Sequence, residues 1–149
     1  MYPLWLVFVG QSLLSSLCIM MFYQWLDARW SGWRNLARLY RAEEAPPGKM
    51  FENATFFLNA RAYRGIGTIA PNSSGLYVEL MPAFRVLHPP LMVPWRYIKP
   101  INAGSSTEFE LAAPFAVRLR LTGPVLRETI RQMELHSPDW RPVPRRLAG

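Results

Sequence analysis

Leu4 to Leu26 reads LWLVFVGQSLLSSLCIMMFYQWL, and its reading decides the architecture of the chain. No charged side chain occurs from Met1 to Leu26, whereas all 17 Lys+Arg and all 10 Asp+Glu follow it. The mean hydropathy of the whole chain is only +0.01, so the apolar character is concentrated in this one stretch. A helix of 23 residues is ~34 Å long, enough to cross a hydrocarbon core of ~30 Å with some tilt. Gln11, Ser12, Ser15 and Ser16 are polar but uncharged, and a helix can satisfy serine on its own carbonyls. Together with Gly10 they also offer a stripe on which a second helix could pack. Trp5 at one end, with Tyr23 and Trp25 at the other, suits the aromatic belts of the two interfaces. A cleaved leader would carry a basic start, a shorter apolar core and a small-residue cleavage site, and these features are lacking. The expectation is a transmembrane helix over residues 1–26.

Charge then sets the direction. No Lys or Arg precedes the span, while Arg29, Arg34, Arg38 and Arg41 follow it closely, so the C-terminal side is expected in the cytoplasm. Arginine greatly outnumbers lysine (Lys49 and Lys99 are the only two), a usage that accompanies GC-rich coding and points to a bacterial inner membrane. The single cysteine, Cys18, lies inside the span and cannot form an intramolecular disulfide.

Residues 27–44 read as an amphipathic juxtamembrane helix. Trp30, Trp33, Ala37 and Tyr40 recur at helical spacing, and Arg34, Arg38 and Arg41 fall on another side. That pattern suits a helix lying in the headgroup layer, indoles down and guanidiniums toward phosphates. Packing of the same stripe on the domain, or on another membrane subunit, is the competing arrangement. Trp30, Trp33, Arg34, Arg38, Tyr40 and Arg41 are therefore the candidate membrane or partner contacts. Residues 45–52, opening with Ala45-Pro46-Pro47-Gly48, read as a short stiff linker.

Beyond the linker the period changes from helical to alternating. Strands are expected near Ala54–Ala62, Gly65–Ala70, Leu76–Leu80, Phe84–His88, Leu91–Ile98, Glu108–Ala112 and Phe115–Leu121. In the last of these Phe115, Val117, Leu119 and Leu121 face one way and Arg118 and Arg120 the other. Residues 71–75 and 102–106 are turn clusters. Pro124 starts an amphipathic helix bearing Val125, Leu126, Thr129, Ile130 and Met133. Residues 136–149 form a Pro- and Arg-rich tail, expected to be extended or disordered. Trp95, in an apolar stretch, is expected to be buried against the 115–121 strand.

Gly75-Leu76-Tyr77-Val78-Glu79, Phe84-Arg85-Val86 and Val93-Pro94-Trp95-Arg96-Tyr97-Ile98 together resemble bacterial PH/GRAM-like domains, over roughly residues 53–135. In that family a Gly-Leu-Tyr strand leads to an Ile-Pro-Trp-x-x-Ile strand. The resemblance implies an α+β fold, a small antiparallel PH-like β-barrel with one C-terminal helix. Members bind lipids, peptides and proteins alike, so the likeness implies a binding role and no particular activity.

Nothing in the sequence assembles a catalytic, cofactor-binding or metal-binding set. His88 and His136 lie far apart, Cys18 is in the span, and Gly65-Ile66-Gly67 lacks the rest of a phosphate-loop spacing. His88 reads as structural, at a strand end before Pro89-Pro90. Glu108 and Glu110 share one face of a strand and read as a solvated edge. Asn53-Ala54-Thr55 fits a glycosylation sequon that a cytoplasmic bacterial domain would not use. The dispersed basic residues argue against nucleic acid. The sequence thus points to a non-catalytic accessory or assembly subunit of an inner-membrane protein complex. The runner-up is a membrane-surface sensor of anionic lipid headgroups, and an enzyme comes third.

Overall fold

A computed structural model describes residues 3–103, 106–113 and 115–137. Helix α1 runs unbroken from Leu4 to Trp30. Its apolar window carries no buried residue: Leu4, Trp5, Phe8, Leu13, Leu14 and Phe22 are each more than half exposed. It is long and apolar enough to cross a bilayer. Only near its C-terminal end do two side chains, Gln24 and Ala28, become buried. Ser31 and Gly32 then break the helix, and α2 follows from Trp33 to Tyr40.

The rest is an antiparallel meander: β1 (Phe51–Leu58), β2 (Arg61–Pro71), β3 (Gly75–Leu80), β4 (Leu91–Pro94), β5 (Ile98–Ala103), β6 (Ser106–Leu111) and β7 (Val117–Leu121). Helix α3 (Gly123–His136) completes it. The strand order is β4-β3-β2-β1-β7-β6-β5. Pairing of β1 with β7, Phe56 opposite Leu121 and Leu58 opposite Leu119, joins the two halves of the meander. The sheet therefore curls into a nearly closed barrel, the α+β architecture expected, with its seam between β4 and β5. A bulged β1, with Asn53 at φ 52°, supplies part of the bend. Inward positions alternate as a half-buried sheet requires: Phe56 and Leu58 on β1, Val117, Leu119 and Leu121 on β7. Gly75 is needed because a Cβ there would collide with the Val93 backbone on β4.

Several local expectations are corrected. Phe84–His88 is not a strand. Pro82 opens a 3-10 turn over Pro82–Phe84, and the His88 amide donates to the Phe84 carbonyl at 3.0 Å. The apolar alternation there imitates a strand, but the amides of Phe84, Arg85, Leu87 and His88 donate to the carbonyls of Met81, Pro82 and Phe84 within the turn and are not available to a ladder. The Ala54–Ala62 reading ran through a turn at Asn59 (φ 52°), so β1 ends at Leu58. The Leu91–Ile98 reading is interrupted by a 3-10 turn at Trp95–Tyr97, after which β5 begins at Ile98. Phe115 lies outside β7 and is 74% exposed. Trp95 is buried as expected, but its indole N–H reaches the β2–β3 turn, donating to the Asn72 carbonyl at 2.8 Å. Glu108 and Glu110 sit on an inner strand, opposite Arg120 and Arg118. Helix α3 buries Val125, Thr129 and Met133. The tail from Pro138 onward lies outside the described residues.

The larger correction concerns α2. Trp33 and Leu36 are fully buried in the barrel core, with Ala37 and Tyr40 packed against it. The Trp33 ring lies 5.6 Å from that of Tyr63 and 6.3 Å from that of Phe56, and its N–H donates to the Pro89 carbonyl at 3.0 Å. The domain thus starts before the Pro-Pro segment, not after it. Residues 45–52 join two parts of one core, and β1 already begins at Phe51. Trp33→Ala should accordingly destabilise the full chain in detergent by about 3–5 kcal/mol. Trp30→Ala, at a 66% exposed position, should change it by less than ~0.5 kcal/mol. Denaturant unfolding followed by near-UV circular dichroism separates the two, and equal effects would contradict this packing.

Candidate functional site

The elbow between α1 and α2 organises everything that could serve as a site. Gly32 sits at φ +84°, and a Cβ on it would come within 2.9 Å of Val117 on β7. Both the turn and the close approach to the barrel therefore require glycine. The Ser31 hydroxyl accepts the Trp33 amide at 3.3 Å, and the Gly32 carbonyl accepts the amides of Asn35 and Leu36. Asn59, at the β1–β2 turn, clamps the elbow to the sheet. Its Nδ2 donates to the Ser31 carbonyl at 3.0 Å, and its Oδ1 accepts the Arg118 amide at 2.9 Å. Arg61, at the start of β2, forms an ion pair with Asp27 in the last turns of α1. The apolar helix and the barrel are joined without a linker.

Helix α2 presents three faces from this elbow. One is the buried face of Trp33 and Leu36. A second carries Arg34 and Arg38, one turn apart, which with Arg29 of α1 and Asn35 line a polar cleft of about 390 Å³. Among the described residues no carboxylate lies within ion-pair distance of these three arginines. The Arg29 guanidinium lies over the Trp25 ring, 5.7 Å from its centroid.

The third face borders the seam of the barrel. The Tyr40 hydroxyl donates to the Ala112 carbonyl beyond β6, and its ring lies 5.6 Å from that of Tyr97. Arg41 pairs with Leu91 of β4 as an isolated bridge, and the Ala42 amide donates to Pro90 at 2.8 Å. Chain from α2 thus fills the gap between the two sheet edges. A cleft of about 610 Å³ remains there, floored by Leu39, Tyr40, Met92, Pro94 and Tyr97 with Arg41 and Arg96 beside them.

The six expected contact residues are therefore split. Arg34 and Arg38 share the basic cleft, and Tyr40 and Arg41 share the seam cleft. Trp30 is exposed at the end of α1, and Trp33 is inside the core, where no lipid can reach it. The structure adds Arg29 and Asn35 to the basic cleft and Asn59 to the elbow. The signal for Arg29 was its position one helical turn after Trp25; nothing local marks Asn59, whose role depends on a turn brought beside the elbow from 28 residues away.

Behind the elbow lies His88, 1% exposed, with its ring edge-on to Trp33 at 5.3 Å and to Tyr63 at 6.1 Å. Neither ring nitrogen has a protein partner. Burial lowers its pKa to about 4, and burial likewise raises that of Tyr63. Elsewhere, Glu79 accepts the Tyr77 hydroxyl at 3.1 Å and pairs with Arg85. Burial first, then the Glu79 charge, pushes Tyr77 up to about 12. Among the described residues no group of three or more His, Cys, Asp and Glu side chains could hold a metal ion.

Comparison of the chain with protein families, with curated proteins and with solved structures found no match.

The buried imidazole gives a pH test of the packing. An unfolded histidine takes up its proton near pH 6.5, whereas His88 in the folded chain resists until about pH 4. The unfolded state binds the extra proton in that window, so stability is retained above pH 6.5 and lost as the pH falls toward 4. His88→Phe removes this contribution. Thermal unfolding of both proteins between pH 7 and pH 4 should show a steeper acid loss for the wild type; parallel curves would place His88 in contact with water.

Proposed function

We propose that the chain is a single-pass, non-catalytic accessory subunit that holds a protein-binding barrel against the cytoplasmic face of a bacterial inner membrane. The observation that carries the reading is the seam cleft. Its floor combines two tyrosines with leucine, methionine and proline, flanked by two arginines, and interfaces favour such aromatic, methionine and arginine surfaces. The cleft is held by α2, which is locked to the apolar helix through Gly32 and Asn59. A partner bound there would be fixed in height and orientation relative to the bilayer.

The membrane setting is supported by the bare surface of α1, which would be untenable in water. It is supported further by burial of Gln24 and Ala28, since cleaving α1 away as a leader would uncover the barrel. Orientation rests on the charge asymmetry, Arg29, Arg34, Arg38 and Arg41 after the span and none before. The PH-like reading is supported by the order of elements, a seven-stranded meander followed by one helix. One of its three quoted segments, Phe84–Val86, lies in a turn.

Leu39 is 56% exposed on the cleft wall, so Leu39→Glu should leave the unfolding midpoint unchanged. Purified from native membranes in mild detergent, the wild type should run as a complex and Leu39→Glu as the lone chain. A wild type that is monomeric under these conditions would sink the subunit reading. A reporter fused after Gly149 should be active only if it is of the cytoplasmic type; a periplasmic reporter that works there would reverse the orientation.

A further inference from the structure

We infer that the elbow cleft of Arg29, Arg34, Asn35 and Arg38 is a binding site for the phosphate of an anionic phospholipid headgroup. The inference rests on α1 spanning the bilayer, and not on the accessory-subunit reading or on the seam cleft.

Depth comes first. If Leu4 marks one edge of the hydrocarbon, ~30 Å of core at ~1.5 Å per residue ends near Tyr23. Trp25 then falls ~3 Å beyond that edge, within the headgroup layer, and the Arg29 backbone ~9 Å beyond it, just past the layer, from where its side chain reaches back over the Trp25 ring. Trp25 is 41% exposed, as a lipid-facing belt residue should be, and Arg29 stacks on it. The stacking holds one guanidinium at headgroup level instead of leaving it free in solution.

Convergence comes second. Ser31-Gly32 turns the chain so that α2 brings Arg34 and Arg38, exposed and one helical turn apart, to the same cleft as Arg29. Because the elbow is clamped by Asn59 and anchored by Trp33, these charges are gathered before any ligand arrives. Gathering three like charges costs repulsion, which an anion in the cleft would relieve.

Chemistry selects the ligand. A guanidinium offers a planar fork that pairs with two oxygens at once, and a phosphodiester presents two non-bridging oxygens. The half-buried Asn35 adds an amide donor at the cleft wall. No acidic side chain lines the cleft, so the ammonium of a zwitterionic headgroup would enter without a counter-charge. Phosphatidylglycerol should therefore be preferred over phosphatidylcholine, although both carry the same phosphodiester.

The test uses the full chain in zwitterionic detergent micelles, titrated with phosphatidylglycerol and separately with phosphatidylcholine, bound lipid being counted by native mass spectrometry. Resistance to carbonate extraction from membranes first verifies the anchor, so that loss of the anchor is told apart from loss of the site. The wild type should bind phosphatidylglycerol in preference, and the double variant Arg34→Ala with Arg38→Ala should bind it about tenfold more weakly or worse. The control, Arg64→Ala with Arg127→Ala, removes the same charge from exposed positions elsewhere and should bind as the wild type does. Equal weakening in the control would reduce the effect to net charge and overturn the site. Unchanged binding by the Arg34/Arg38 variant would overturn it too. Inorganic phosphate added as competitor should fail to displace the lipid; displacement at comparable concentration would assign the cleft to a free anion instead.

Discussion

Insertion of Trp33 into the barrel is the contact on which the rest of the structure depends. A single indole meets Phe56 and Tyr63 from β1 and β2, meets His88 from the loop before β4, and donates its N–H to Pro89. The first core side chain after the apolar helix therefore binds together three parts of the barrel. It can do so only because Gly32 adopts a left-handed conformation immediately before it, and Gly32 in turn is pressed against Val117. Remove that constraint and α2 would have no fixed direction, the seam between β4 and β5 would lose its filling, and the two clefts would lose a shared wall.

This arrangement also explains how a short chain sustains a barrel. Small sheets suffer at their edges, and here the free edge at β4 is met from outside the meander. Arg41 and Ala42 engage Leu91 of β4 and the preceding Pro90 through the backbone, while Tyr40 reaches the carbonyl beyond β6 and its ring lies tilted beside that of Tyr97. The chain that leaves the apolar helix is thus a structural component of the domain. Its exposed positions remain available for polar work, which is why Arg34 and Arg38 can face a cleft while Trp33 and Leu36, on the same short helix, are fully enclosed.

What the sequence discloses follows from how local each feature is. The apolar helix, the β7 alternation and the Pro124 helix start each depend on a window of one element, and each was legible. The helical spacing of Trp33, Ala37 and Tyr40 was legible as well, but its destination was not. A stripe of aromatics beside arginines looks the same whether it meets lipid or a barrel interior, and only the arrival of Tyr63 and His88 from far along the chain decides it. The false strand at Phe84–His88 and the missed β5 have a similar origin. In the first, a turn opened by Pro82, with its own local hydrogen bonds, outweighed apolar alternation. In the second, pairing with β6 from Ile98 opposite Leu111 to Ala103 opposite Ser106 carried Pro100 and Asn102 into a strand. Pro100 is tolerable there because β5 is the edge strand. The basic cleft was half legible, since Arg34 and Arg38 announce themselves as a pair. Their union with Arg29 requires knowing that the chain bends at Ser31-Gly32.

The rigid junction has a mechanical consequence. Two units of one chain are often separated by a linker that lets them move independently, and relative motion is then the default. Here the Asp27–Arg61 ion pair, the Asn59 clamp and the buried Ala28 oppose that freedom, each acting within a turn or so of the elbow. Tilting α1 must therefore tilt the barrel, and any load on the barrel must be borne by the helix. His88 beside Trp33, and Gln24 on α1, are buried without protein hydrogen bonds. Such groups cost stability when unsatisfied, so a junction that retains them is held by packing of Trp33 and Leu36 more than by polar pairing. Coupling between α1 and the clefts thus rests on apolar contacts, which salt does not screen, while the interactions of the exposed arginines around them with other charges are screened.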